Sequence, residues 1–222
     1  MALEVEILPD PQTAAERGAE VIAAAAREAV EERGRFTMAV SGGRNPWGML
    51  AALHGRMPWE KVTIFQVDER VAPEGDPDRN LTHLLRSLPA GGAAAVRPMP
   101  VDAHDLEAAA AAYAAALPER FDLVHLGLGP DGHTASLVPA DPVLDVTDHD
   151  VAVTGEYQGR RRMTLTYPAL NRARRILWLV TGADKVDALA RLRAGDPSIP
   201  AGRVSAHRAL VVADAAAAGC GR

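Results

Sequence analysis

Short apolar runs recur along the chain, and segments of helical character lie between them. The clearest runs are FTMAV at 36–40, VTIFQV at 62–67, FDLVHL at 121–126, RILWLVT at 175–181 and RALVVA at 208–213. Weaker candidates lie near Val96 to Val101 and Val151 to Thr154. Runs of this kind are typical of strands that helices cover on both faces of a sheet. The helical segments are 12–33, 46–54, 78–87, 104–116 and 184–193.

This alternation predicts an α/β fold. The expected architecture is a single open, mostly parallel, doubly wound sheet of the Rossmann-like kind, flanked by helices. At 222 residues the chain has a length that such sheets reach as one unit. We therefore expect one domain over residues 1–222.

Four polar motifs follow the apolar runs directly. They are SGGRNP at 41–46, DER at 68–70, GLGPDGH at 127–133 and TGADK at 181–185. The carboxyl ends of parallel strands lie at one edge of a sheet, where such folds bind their ligands. The positions of the motifs therefore predict that four loops meet in one cleft.

The first motif has the features of an anion-binding loop. Gly42 and Gly43 allow backbone N–H groups to approach a ligand, while Asn45 is suited to cap the next helix and Pro46 to open it. A helix N-terminus favours a phosphate, and Arg44 could add positive charge. A tight strand-to-helix turn without a ligand explains the same residues equally well.

GLGPDG matches the G-x-G-x-x-G pattern of dinucleotide-binding loops. We reject that interpretation because Pro130 removes a backbone donor, while Pro139 and Pro142 interrupt the next segment before a full helix can form. The loop instead places Asp131 and His133 on either side of one glycine, and an imidazole beside a carboxylate can act as a general base. A turn aspartate followed by a helix-capping histidine is the alternative.

Charge limits the possible partners. A formal net charge of -5 opposes nonspecific attraction to nucleic acid and to anionic lipid, so we expect neither a nucleic acid nor a membrane partner. An anionic small molecule would need local positive charge, which the run 160–162 supplies. The sequence MALEVEILPDPQ has no leader features and predicts a cytoplasmic protein. The single cysteine, Cys220, indicates neither a disulfide nor a catalytic thiol.

Five motifs in order carry a resemblance to a known family: SGGRNP, VDER, GLGPDGHTASLVP, RRMTLTYPALNRA and TGADK. Together they resemble the 6-phosphogluconolactonase branch of the family that also contains glucosamine-6-phosphate deaminase. The resemblance runs from about Ser41 to about Lys185. It implies an enzyme of the pentose phosphate pathway that hydrolyses the δ-lactone of 6-phosphogluconate without a metal or other cofactor. Its partner is then a phosphosugar lactone, and we expect a monomer or a homodimer.

The resemblance also implies roles for individual residues. His133 is expected to activate water, Asp131 to orient His133, and Arg70 to face the oxygen that gains negative charge. The residues expected to bind the phosphate are Ser41, Gly42, Gly43, Arg162 and Lys185, with Arg160 or Arg161 as alternatives to Arg162 and with Arg44 as an added charge. Further cleft residues are expected at Asp68, Glu69, Gly129, Gly132 and Thr134.

Three alternative functions are considered. A deaminase of this family carries an acidic residue five positions after the histidine, where this chain has Val138. A non-catalytic sugar-phosphate-binding module would use the same cleft. A metal-dependent hydrolase could take His125, Asp131 and His133 as ligands, although DER, Arg162, Lys185 and His125 also have ordinary interpretations as surface charges or a packed core imidazole.

Departures from the family pattern concern the pocket. Asn45 stands where Thr or Ser is expected, and it can still cap a helix. Arg79 and Val138 replace residues that are commonly small and aromatic, respectively, and both bear on the shape of the pocket wall.

Overall fold

The computed structural model describes residues 3–43, 46–89 and 95–220. The strands are β1 (Glu4–Leu8), β2 (Phe36–Val40), β3 (Val62–Gln66), β4 (Asp68–Arg70), β5 (Ala95–Arg97), β6 (Leu123–Leu126), β7 (Val151–Val153), β8 (Arg162–Leu165), β9 (Ile176–Val180) and β10 (Ala209–Asp214). The helices are α1 (Pro11–Arg33), α2 (Pro46–Ala51), α3 (Asn80–Ser87), α4 (Leu106–Ala115), α5 (Tyr167–Asn171) and α6 (Val186–Arg193). Within these ranges no helix has the length and apolar character needed to cross a bilayer. The predictions for Arg44 and Asn45 lie outside the described residues.

Seven strands form one sheet in the order β1-β10-β9-β6-β2-β3-β5. Every neighbouring pair is parallel. The five clearest predicted strands correspond to β2, β3, β6, β9 and β10, and helices flank the sheet, so the predicted fold class is confirmed. β1 was not predicted because Glu4 and Glu6 interrupt its apolar pattern, which a strand at the edge of a sheet tolerates.

The longest helix, α1, follows the start and stop signals of its sequence. Asp10 caps it by accepting a hydrogen bond from the Thr13 N–H at 2.8 Å, and Pro11 opens the first turn. Gly34 ends it in the left-handed region, with φ 72°, and donates its N–H to the Val30 carbonyl. The buried face of the helix is mainly alanine, so the helix axis can lie close to the sheet.

Alternate strand residues supply two cores, one on each face of the sheet. In β6, Leu123 belongs to the core beneath α1 and α2, whereas Val124 and Leu126 belong to the opposite core. By this alternation His125 lies on the α1 side, at the end of β6 nearest the loop edge. The sheet is thus covered on both faces, and its loop edge stays open.

A second, three-stranded antiparallel sheet in the order β4-β8-β7 was not predicted. The sequence analysis placed DER in a loop after β3, but these residues form β4. The strand was missed because three charged residues show no apolar pattern. The Leu165 N–H donates to the Val67 carbonyl at 2.8 Å and joins this sheet to the main one. Its register sets Arg70 opposite Arg162 and so brings the arginine run to the loop edge.

Candidate active site

A cleft of about 660 Å³ opens at the carboxyl edge of the large sheet. Its wall contains residues of all four predicted motifs, so the loops after β2, β6 and β9 meet there with β4 and β8. The predicted site residues that line it are Ser41, Gly42, Gly43, Asp68, Arg70, Gly129, His133, Arg162 and Lys185.

His133 lines this cleft and forms a close pair with Asp131, which stands behind it and is not part of the cleft wall. The His133 Nδ1 atom lies 2.5 Å from Asp131 Oδ1, and the His133 backbone N–H donates to the same oxygen at 3.2 Å. A carboxylate beside Nδ1 assigns the ring proton to that nitrogen and leaves Nε2 as the free acceptor. The pair therefore has the arrangement of a general base with an orienting carboxylate.

Gly129 makes room for the imidazole. Its N–H donates to the His133 carbonyl at 2.8 Å, and a Cβ at this position would lie 2.0 Å from His133 Nδ1. No larger residue fits without displacing the ring. Gly132 and Thr134 support the loop from outside the cleft wall: Gly132 packs against Ile199, and the buried Thr134 hydroxyl donates to the Gly127 carbonyl at 2.9 Å.

Asp131 is held in its charged form. Burial acts to raise its pKa, but hydrogen bonds from His133 and Tyr157 and the charge of a protonated His133 outweigh burial and hold the pKa well below its usual range. The Tyr157 hydroxyl donates to Asp131 Oδ2 at 3.0 Å, so each carboxylate oxygen has its own donor. Asp131 is therefore anionic throughout the neutral range.

Tyr157 is a site residue that the sequence analysis missed. Its ring packs edge-on against His133 with centroids 5.5 Å apart, and the Arg162 guanidinium carbon lies 4.9 Å from the Tyr157 ring centroid. A single tyrosine in the polar stretch before the arginine run gives no sequence signal. Only the pairing of β7 with β8 brings it against Asp131, His133 and Arg162.

The glycine loop after β2 is packed closely against α3. A Cβ at Gly42 would lie 1.9 Å from Asn80 Oδ1, so this position requires glycine, and Gly43 has φ 111°. The Ser41 hydroxyl donates to Asp68 Oδ1 at 3.3 Å. Since Asp68 also accepts from the Ser136 hydroxyl at 2.8 Å, it connects two polar residues at the cleft floor.

Arg162 is the member of the arginine run that lines this cleft. It is 4% exposed, and its Nε has no hydrogen-bond partner among the described residues. Burial lowers the pKa of Arg162, and the charge of Arg70 lowers it further, whereas Asp68 acts in the opposite direction. A buried cation with an unused donor is suited to an anionic ligand.

The other two arginines of the run do not line this cleft, although Arg160 lines a neighbouring pocket that Arg70 and Arg162 share. Arg160 forms ion pairs with Asp76 at 3.2 Å and Asp78 at 3.0 Å. Arg161 donates to the Thr154 carbonyl at 3.4 Å and lies 3.7 Å from Glu107. These contacts favour Arg162 over its neighbours as the phosphate ligand.

Arg70 reaches the cleft from β4. Its Nη1 donates to the Asp78 carbonyl at 2.8 Å and to Asn80 Oδ1 at 2.9 Å, which fixes the guanidinium between the glycine loop and α3. Asn80 is a second site residue that sequence analysis missed. Lys185, which also lines the cleft, lies 2.9 Å from Asp184 and is largely buried.

Glu69 was expected in the cleft, but the structure places it in the interior. It is 0% exposed and does not line the cleft, because β4 turns alternate side chains to opposite sides. It accepts hydrogen bonds from the backbone N–H groups of Arg70, Asn80 and Leu81, each at 2.8 Å. The buried Arg79 lies 3.3 Å from Glu69, so this departure from the family pattern is a counterion and not part of the pocket wall.

In the described parts of the chain, no three His, Cys, Asp or Glu side chains lie close enough together to form a metal site. The structure therefore offers no support for the metal-dependent alternative. His125 is 1% exposed, and among those residues neither ring nitrogen has a hydrogen-bond partner. Burial lowers the pKa of His125 to about 3 and keeps the ring neutral. This is a core imidazole at the cleft floor.

Fold and site together define an open α/β protein in which one cleft at the sheet edge is lined by the histidine of a histidine–aspartate pair and by arginine and lysine side chains. The chain belongs to the family of glucosamine-6-phosphate isomerases and 6-phosphogluconolactonases, whose model matches residues 9–212. The resemblance inferred from the motifs is thereby confirmed.

Similar proteins cover nearly the whole chain. A 6-phosphogluconolactonase of Synechocystis sp. is 38% identical over 209 residues, which cover 86% of this chain and 85% of that protein. A 6-phosphogluconolactonase of Streptomyces coelicolor is 38% identical over 245 aligned positions, with 94% of each chain covered. The crystal structure of a Thermotoga maritima 6-phosphogluconolactonase is 26% identical, with a TM-score of 0.82 over 95% of this chain and 98% of that one.

The fold alone does not separate the two branches of the family. A monomeric glucosamine-6-phosphate deaminase superimposes with a TM-score of 0.82 at 19% identity, covering 99% of this chain and 100% of that one. At that identity the likeness concerns the fold only. The choice between the branches rests on the relatives at higher identity and on the residues in the cleft.

Proposed function

We propose that this protein hydrolyses 6-phosphoglucono-1,5-lactone to 6-phosphogluconate. The observation that carries the proposal is that one cleft is lined by His133, whose imidazole contacts Asp131, and by the cations Arg162 and Lys185. A base and cationic side chains in one cleft suit a phosphorylated sugar lactone, which offers a carbonyl to the base and a phosphate to the cations. The relatives at 38% identity, which are 6-phosphogluconolactonases, support the same substrate.

In this reaction the base is His133. Its Nε2 takes a proton from a water molecule as the water oxygen bonds to the lactone carbonyl carbon. Asp131 stabilises the resulting imidazolium and holds the ring in place. When the tetrahedral intermediate collapses, the bond between the carbonyl carbon and the ring oxygen breaks, and the imidazolium returns its proton to that oxygen. The product is a free hydroxyl and a carboxylic acid, which ionises.

Arg70 stabilises the charge that develops on the carbonyl oxygen. Its guanidinium is already fixed by Asn80 and the Asp78 carbonyl, so little reorganisation is needed when the oxyanion forms. Water is the only co-reactant in this scheme.

The phosphate is bound by the cationic side of the cleft. Arg162 and Lys185 supply charge, and the backbone at Gly42 and Gly43 supplies donors, where Asn80 leaves no room for a side chain at Gly42 and a φ of 111° favours glycine at Gly43. Fixing the phosphate converts binding energy into orientation of the carbonyl toward His133. A lactone without the phosphate should therefore react much more slowly.

Deamination is disfavoured by the residue after the histidine loop. Val138 is buried and apolar, and such a side chain cannot relay a proton to an amino sugar. The non-catalytic binding module would need the same anion site, but it gives no reason for a carboxylate to hold the imidazole, or for a tyrosine hydroxyl to hold that carboxylate.

The test is a lactone assay corrected for spontaneous hydrolysis. The lactone is generated in place by oxidation of glucose 6-phosphate, and 6-phosphogluconate is measured with wild type and with His133→Asn, which removes the base at similar size. We expect acceleration by the wild type and its near loss in the variant, together with a value of kcat/KM at least about 10²-fold lower for glucono-1,5-lactone. Lack of acceleration over the spontaneous rate, or rapid ammonia release from glucosamine 6-phosphate, would overturn the proposal.

A further inference from the structure

Tyr157 touches both halves of the site. Its hydroxyl donates to Asp131 Oδ2 at 3.0 Å, its ring makes a T-shaped contact with His133, and its ring centroid lies 4.9 Å from the Arg162 guanidinium carbon. The Tyr157 carbonyl also lies 3.5 Å from Arg162 Nη2, a long hydrogen bond. The hydroxyls of the other two tyrosines, Tyr113 and Tyr167, bond to backbone groups elsewhere.

From these contacts we infer that Tyr157 is a positioning residue with two separable functions. Its hydroxyl fixes the carboxylate that orients the base, and its ring supports the arginine that binds phosphate. The inference rests on the proposed lactone hydrolysis and adds a residue that links the two ends of the substrate.

The turn that carries Tyr157 is well defined. Tyr157 and Arg160 exchange two backbone hydrogen bonds, at 3.0 and 3.3 Å, and the two residues between them, Gln158 and Gly159, have φ of 53° and 77°. Positive φ at both central positions is the geometry that two-residue hairpins favour. Ion pairs from Arg160 to Asp76 and Asp78 attach the turn to the segment before α3. The phenol is therefore presented from a fixed backbone.

The hydroxyl restricts Asp131. With Oδ2 engaged by Tyr157 and Oδ1 by His133, rotation of the carboxylate would break at least one hydrogen bond. Burial and the hydrogen bond and charge of Asp131 raise the pKa of Tyr157, so the phenol keeps the proton that it donates. The carboxylate thus stays in the plane that holds His133 Nε2 toward the substrate.

The Tyr157 ring, unlike its hydroxyl, contacts Arg162. Arg162 is buried, and the π-face of Tyr157 with the Gln158 amide oxygen at 3.2 Å compensates part of its lost hydration. Neither contact involves Nε, which is buried and has no hydrogen-bond partner among the described residues. Removing the ring would let the guanidinium leave this position.

Two substitutions separate the two functions. Tyr157→Phe keeps the ring and removes the hydroxyl, so we expect kcat to fall about 3- to 10-fold, as for loss of one hydrogen bond, with KM within about twofold of wild type. Tyr157→Leu removes both, so kcat should fall similarly and KM should rise about fivefold or more. Tyr167→Phe, which loses a hydroxyl bonded to the Pro200 carbonyl, is the matched control and should change neither.

Binding of inorganic phosphate, measured by calorimetry, tests the ring without turnover. Tyr157→Leu should weaken it about fivefold, and Tyr157→Phe should not. If the wild type binds phosphate but does not accelerate lactone hydrolysis, the proposed function fails. The phosphate affinities of the variants still show whether the Tyr157 ring supports Arg162.

A double-mutant cycle tests the hydroxyl. In an Asp131→Asn background, Tyr157→Phe should have almost no further effect on kcat, because its target has already been changed. Full additivity of the two effects, equal kinetic constants for Phe and Leu variants, or a Leu variant with wild-type phosphate affinity would each overturn the inference.

Discussion

Arg70 and Arg162 occupy directly opposed positions of the antiparallel strands β4 and β8. Both line the same cleft, and like charges facing each other across two strands oppose their pairing. The lowered pKa of Arg162, to which burial and then the charge of Arg70 contribute, reflects this proximity. An anion bound between the two guanidinium groups would attract both and offset their mutual repulsion. Binding of an anion should therefore stabilise the native state.

Inorganic phosphate should therefore raise the Tm of the protein. A ligand that binds only the native state stabilises it by about 2.7 kcal/mol at 100 times its Kd. Arg162→Gln should remove most of this increment in thermal unfolding scans. Arg27→Gln, at an exposed position of α1, is the control and should keep it. Equal phosphate increments in both variants would show that Arg162 is not a phosphate ligand.

The two ends of the cleft should affect different kinetic constants. His133→Ala removes the base and should lower kcat by about 10²- to 10⁴-fold with little change in affinity for 6-phosphogluconate. Lys185→Ala removes a phosphate cation and should mainly raise KM, by about tenfold or more. Initial rates over a range of lactone concentrations separate the two. Parallel losses in both constants for both variants would contradict this division.

Much of this arrangement could be predicted from the sequence, for a physical reason. Strands covered on both faces are continuous apolar runs, and the polar loops that follow them in a parallel sheet must share an edge. That reasoning predicts from the sequence that Gly42, Arg70, His133 and Lys185 share one cleft, and all four line it.

The rest depended on pairing that leaves no local signal. The short strands β4 and β8 are charged, and only their register decides that Arg162, and not Arg160 or Arg161, lines the cleft. Tyr157 approaches Asp131 across 26 positions of sequence. Glu69 was placed in the cleft because its neighbours belong there, although alternation along a strand turns it inward.

Glu69 should be important for stability and for the position of Arg70. Glu69→Gln replaces one acceptor oxygen with a donor that faces N–H groups, and it leaves the buried Arg79 without its counterion. Loss of about 3 kcal/mol in the free energy of unfolding is expected. Glu107→Gln, at an exposed ion pair 3.7 Å from Arg161, should change stability by less than about 0.5 kcal/mol. Denaturant unfolding of the two variants checks this, and a near-neutral Glu69→Gln would contradict the structural role assigned here.

His125 should lower the stability of the native state. A fully buried imidazole that forms no hydrogen bond within the described residues costs free energy that an apolar side chain of similar size does not. His125→Leu is expected to stabilise the protein by about 1 to 2 kcal/mol at neutral pH. His207→Leu, at an exposed position, is the control and should have little effect. Destabilisation by His125→Leu would mean that a buried water or an internal rearrangement satisfies the ring.

The same residue should also make stability depend on pH. Burial lowers the pKa of His125 from 6.5 to about 3, so between these values the unfolded chain binds a proton that the native state does not. Above the pKa of the unfolded state, titration of this group costs no stability. As pH falls through that window the free energy of unfolding decreases, with a slope of up to about 1.4 kcal/mol per pH unit. His125→Leu removes this contribution, so its advantage over wild type should grow between about pH 7 and about pH 4.5 in unfolding experiments. An advantage that stays constant or shrinks over that range would show that the imidazole is protonated in the native state.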